Sequence, residues 1–148
     1  MSGPLSQLKV LDFSTLLPGP YASMMLADMG ADILRVESPS RMDLLRVMPP
    51  MDGKHSASHS FLNRGKRSIG LNLKKAEAVE IIKKLVKDYD ILLEQFRPGV
   101  MERLGLGYEV LKAINPKLIY CSITGYGQTG PYKSRAGHDI NFLAVSGV

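Results

Sequence analysis

At 148 residues, with 45% hydrophobic and 22% charged side chains, the chain is long enough to bury one core and too apolar to remain disordered. Its net charge of +5 comes from 19 Lys+Arg against 14 Asp+Glu, scattered without a long run of one sign; with 7% aromatics and no Trp, this argues against a nucleic-acid track and for a small phosphate-bearing ligand. No window approaches the ~20 apolar residues of a membrane span, so no membrane partner is expected.

The lone Cys121 cannot form an internal disulfide, and it lies in Leu118 to Ile123, which reads as a buried strand. Met1 to Lys9 lacks a cationic stretch followed by an apolar run. The expected location is cytoplasmic, or mitochondrial or peroxisomal in a eukaryote.

Leu8 to Phe13 reads as a strand, Tyr21 to Met29 as a helix begun by proline and ended by Gly30, and Asp32 to Glu37 as a second strand. Strand, helix and strand within ~30 residues are the pattern of a parallel βαβ unit. From Ser38 to Arg67 periodicity vanishes, and this stretch, residues 38–67, is expected to be a long loop beyond the usual ~12–15 residues. Ser68 to Leu73 alternates like a strand. Lys75 to Lys87 is the clearest helix, with Ala78, Val79, Ile81, Ile82, Leu85 and Val86 on one face and Glu80 placed four before Lys84. Ile91 to Glu94 reads as a strand, Tyr108 to Ile114 as a short helix, and Leu118 to Thr124 as a last strand. The alternation predicts one α/β domain over 1–148: a Rossmann-like, mainly parallel sheet with helices on both faces.

Ligands of open parallel sheets sit beyond the carboxyl ends of the strands. That rule gathers Ser14 to Gly19, Glu37 to Arg41, Gln95 to Gly99 and Gly125 to His138, and with them Arg35, Arg41, Arg97 and Arg135, joined by Lys66 and Arg67 from the long loop. Several cations around one crevice suit a ligand with several phosphate charges. Each one taken singly also fits a solvated surface charge.

His138, between Gly137 and Asp139 after a glycine-rich run, is the candidate acid/base, because imidazole exchanges a proton near neutral pH. The same residues also suit a helix-capping or core histidine. Gly125-Tyr126-Gly127-Gln128-Thr129-Gly130 fits the G-x-G-x-x-G spacing of dinucleotide sites, but Pro131 follows at once and no amphipathic helix continues. A tight loop that lets a ligand approach the backbone is the better reading. His55 and His59, four apart, lack a third ligand cluster, so no metal is expected. Asp12 fits a turn partner, and Met24, Met25 and Met29 fit core filler.

Val10-Leu11-Asp12-Phe13, Leu17-Pro18-Gly19-Pro20, Ala27 to Glu37, Asn63 to Ile69, Phe96-Arg97-Pro98-Gly99 and the Gly125 to Pro131 loop together resemble the opening of the family III coenzyme A transferases. Within that family, Ala136-Gly137-His138-Asp139-Ile140-Asn141 with Ser146-Gly147 resembles the α-methylacyl-CoA racemase branch. The resemblance implies an N-terminal domain that binds acyl-coenzyme A. By motif position Arg35 and Arg97 would meet the nucleotide phosphates, Lys66 and Arg67 would lie near the adenosine, and Phe142 would stand where racemases often carry tyrosine. His138 would be one of two proton-transfer groups acting on a 2-methylacyl thioester. The partner carboxylate comes from beyond Val148 in a family whose members run to more than twice this length and form interlocked homodimers. Transfer of coenzyme A between carboxylic acids, and an inert coenzyme A-binding fragment, are the alternatives.

Overall fold

The computed structural model describes residues 3–148. Five parallel strands form one sheet: β1 (Lys9–Asp12), β2 (Asp32–Glu37), β5 (Lys66–Gly70), β6 (Ile91–Glu94) and β7 (Ile119–Ser122), in the spatial order β5-β2-β1-β6-β7. Between β2 and β5 a two-residue hairpin pairs β3 (Met51–Asp52) with β4 (His55–Ser56).

The inner strands are buried on both faces, which is why they read as continuous apolar runs. Leu11, Leu34 and Leu92 point to one face, where they pack with Ile82 and Val86 of helix α3 (Ala76–Val86) and Leu111 of α5 (Tyr108–Ile114). Val10, Ile33 and Leu93 point to the other, against the partly buried Leu26 and Ala27 of α1 (Pro18–Asp28). The expected α/β architecture, a parallel sheet with helices on both faces, is therefore present. Along α3 the buried residues Ala78, Ile82 and Val86 recur every four positions, and full burial of Ile82 and Val86 stabilises by about 1.5–3 kcal/mol each. Glu80 pairs with Lys83 at 2.9 Å, one residue nearer than the expected Lys84.

Residues 38–67, expected as loop, carry structure of their own. Asp43 caps a single 3-10 turn (Leu44–Arg46) by accepting from the Leu45 amide at 3.0 Å, and Ser56 caps α2 (Ala57–Leu62). Leu45 and Leu62 join Met24 in a small core. These three apolar residues are too far apart in sequence to show a period, so the packing was invisible to pattern. β5 begins at Lys66, two residues before the expected strand, because residues 66–70 pair with Ile33 to Glu37.

Three further readings change. Cys121 lies in a strand but is exposed, since β7 is an edge. Met24 is buried, yet Met25 and Met29 face outward at 48% and 38% exposure. The short helix α4 (Val100–Arg103) was not foreseen. After β7 the chain forms a glycine-rich loop and then α6 (Asp139–Ser146), which has no buried residue.

Candidate functional site at the carboxyl edge of the sheet

From β1 the chain adds β2 and β5 on one side, then returns to add β6 and β7 on the other. The reversal makes a topological switch point between the carboxyl ends of β1 and β6, the place where doubly wound sheets bind ligands. Asp12 ends β1 inside the protein and turns the chain there, its carboxylate accepting from the Ser14 amide at 2.8 Å and from the hydroxyls of Ser14 and Ser23. Leu16 in the turn holds φ at 61°, a left-handed conformation that costs a leucine energy.

Gln95 spans this point from the end of β6, its Nε2 donating to Thr15 Oγ1 at 3.0 Å. Its Oε1 is buried and, among the described residues, accepts no hydrogen bond. Glycine at position 19 lets the start of α1 approach this closely, since a Cβ there would collide with the Ser14 side chain and stand 3.1 Å from Gln95 Oε1.

Arg35 is 1% exposed and its guanidinium donates to Asp43 and, at 3.3 Å, to Glu37, with His59 Nε2 at 3.1 Å. Arg46 binds the same Glu37 through two bonds of 2.9 and 2.7 Å. Burial pushes the Glu37 carboxyl up, but the Arg46 bonds, the Arg35 charge and the Ser68 hydroxyl outweigh it and hold the pKa at about 2. Burial and then the Arg46 and Arg35 charges lower the pKa of His59.

The Lys66 side chain, also 1% exposed, donates to Ser23 Oγ at 2.7 Å and to the Pro20 carbonyl at 2.8 Å, with Asp12 at 3.7 Å. Burial lowers its pKa to about 8 although the Asp12 charge opposes the shift. Arg67 points the other way, forked onto Asp32 at the amino end of β2.

Of the six residues singled out, the structure therefore brings few together. Arg35 and Lys66 are enclosed in buried polar networks, and Arg67 lies at the opposite edge of the sheet. Arg97 is exposed on the loop after β6 and shares a small recess with Gln128 of the glycine loop. Buried Glu94 lines that recess, and desolvation raises its pKa.

His138 and Phe142 belong to one unit beyond β7. His138 is exposed at the N-cap of α6, and the half-buried Phe142 ring packs edge-on against Tyr126 at 5.4 Å. The ring also fills the space beside Gly125 and Gly137, where a Cβ would strike it. Arg135 lies over Tyr132, 4.3 Å from the ring centroid. Among the described residues no helix is long and apolar enough to cross a membrane, and no three His, Cys, Asp or Glu side chains group as metal ligands.

An open cavity of about 320 Å³ lies beyond β2 and β5, lined by Glu37, Ser38, Met42, Arg46, Ser68 and Gly70. Sequence reading placed Gln95 only within a ligand-bearing loop and gave no binding role to Lys74 and Lys75, which stand exposed just after β5 at this edge. The placement of β5 was the available signal for the two lysines; an orphan acceptor has no signature in sequence.

Residues 5–148 match the model of the CoA-transferase family III. The human succinyl-CoA:glutarate CoA-transferase is 46% identical over 146 residues, and the human alpha-methylacyl-CoA racemase 46% identical over 145. These alignments cover 98% and 97% of this chain but 33% and 34% of the relatives, so the chain spans about a third of their length. A CAIB/BAIF family protein from Brucella suis superposes with a TM-score of 0.91 at 43% identity, over 99% of this chain and 40% of that one. A family match over nearly every residue, joined to a solved structure with the same fold, settles the assignment: the chain belongs to the CoA-transferase family III.

Proposed function

We propose that the chain forms the acyl-coenzyme A-binding part of an α-methylacyl-CoA racemase-like enzyme and carries one of its two proton-transfer groups, His138. The observation that carries this reading is an exposed imidazole after a glycine loop on the carboxyl side of the sheet, at whose switch point the buried Gln95 Oε1 accepts no hydrogen bond among the described residues. A buried acceptor without a donor costs about 1–3 kcal/mol, and an amide N–H of a ligand's arm would relieve it. Arg97, with Lys74 and Lys75, supplies cations for the phosphates. A thioester acidifies its α-hydrogen, and imidazole removes that proton once donors hold the enolate oxygen. Return of the proton from the other side needs a second group outside this chain.

Transfer of coenzyme A between acids remains the second reading, favoured by the transferase that matches this chain at the same 46% as the racemase. The uncovered flank formed by β7 and α6 supports assembly as a homodimer. Incubation of the complete protein with a 2-methylacyl-CoA in deuterated water is expected to exchange the α-hydrogen. Acyl transfer to an added acid without exchange rejects the racemase reading. His138→Ala should abolish exchange of the epimer whose α-hydrogen faces the imidazole and leave coenzyme A affinity within about twofold, whereas Arg97→Ala should weaken affinity about tenfold, or ~1.4 kcal/mol.

A further inference from the structure

We propose that Asn141 is the positioning residue that fixes the direction of His138, an inference that rests on the acid/base reading above. His138 has an extended backbone, φ −123° and ψ 175°, at the N-cap of α6. Its amide N–H donates to Asn141 Oδ1 at 2.9 Å. Its carbonyl accepts from the amides of Asn141 at 2.9 Å and Phe142 at 3.3 Å. Both peptide groups of residue 138 are thus tied to the first turn of the helix. That turn is anchored in its own right, because the Phe142 ring is wedged beside Gly125 and Gly137 and against Tyr126.

The arrangement separates two tasks. In a capping box, the third helical residue returns a side-chain oxygen to the N-cap amide. Asparagine does so here with a short chain that leaves little freedom, and so holds the backbone from which the imidazole projects. Proton transfer depends on orientation as well as proximity, and misplacement by about 1 Å can cost a hundredfold in rate. Without the Asn141 bond, residue 138 would lose its tether at the amide while the helix behind it stays packed.

The test compares Asn141→Ala and Asn141→Asp with the wild type. In the complete protein, Asn141→Ala is expected to lower kcat for α-deuterium exchange about tenfold with KM within about twofold, and Asn141→Asp, whose carboxylate accepts the same N–H, is expected to restore most of it. A wild-type kcat in Asn141→Ala, a loss expressed in KM alone, or a loss that Asp does not rescue overturns the proposal. Absence of exchange in the wild type would instead overturn the acid/base reading. The tether is then read from hydrogen exchange of the His138 amide: Asn141→Ala should exchange about tenfold faster than the wild type and Asn141→Asp, and equal rates in all three overturn the proposal.

Discussion

Arg35 is a positive charge that the protein keeps for itself. Fully buried and engaged by Asp43 and Glu37, it stitches β2 to the segment that follows, and its guanidinium is enclosed where a solvated phosphate would have to displace two carboxylates. The same network sets the response to acid. Glu37 has a folded pKa of about 2 against an ordinary 4.5, so its contribution is complete above about pH 4.5 and is lost as pH falls toward 2. His59, with its pKa lowered, acts with the same sign at higher pH, because the unfolded chain takes up the proton first. Urea unfolding should therefore show stability falling from about pH 4.5 to 2.5, against the opposing contribution of Glu94, whose raised pKa favours the folded state in acid, and Glu37→Gln should flatten that fall. An unchanged slope in that variant would refute the ion-pair account. Sequence showed Arg35 at the end of a strand among other cations; it did not show Asp43, because the partner lies in a stretch without periodicity.

Among the elements, the strands and helices with a buried face were legible. β2, β6 and α5 follow the expected residues: β2 and β6 are buried almost throughout and so read as largely apolar runs, and α5 packs through Leu111. Caps and single wedges leave no such pattern, and the unit from Gly125 to Ser146 is built of them. A Cβ at Gly137 would stand 2.6 Å from Phe142 Cε1 and 3.0 Å from Tyr126 Oη. Gly137→Ala should destabilise this unit by about 1–3 kcal/mol, visible as faster hydrogen exchange of the α6 amides. With Phe142→Ala in the same chain the two losses should fall short of their sum by about 0.5 kcal/mol or more, because the alanine methyl then occupies the space the ring left. Strict additivity would mean that the ring and the glycine do not meet. His138 stands out as a candidate by residue type and neighbours, whereas its hydrogen bond to Asn141 needed the helix start to be located.

At the scale of the whole molecule, the two edges of the sheet differ in character. β5 exposes Arg67, Ser68 and Gly70, whereas β7 exposes Ile119, at 60%, and Cys121, and α6 beyond it shows Ile140 at 75% and Val145 at 68%. An edge with unpaired peptide groups and outward apolar side chains is a template for association. The excess of positive charge opposes that association only weakly, since exposed charges are screened beyond about 8 Å at physiological salt. The chain on its own should therefore self-associate as concentration rises in sedimentation velocity, more strongly as salt is added. Ile119→Lys, which puts a charge on the edge without touching the buried sheet, should return it toward monomer while its circular dichroism stays unchanged. Equal sedimentation of the two proteins at every concentration would show that the contact lies elsewhere on the surface and that the β7 flank is not where a second chain sits.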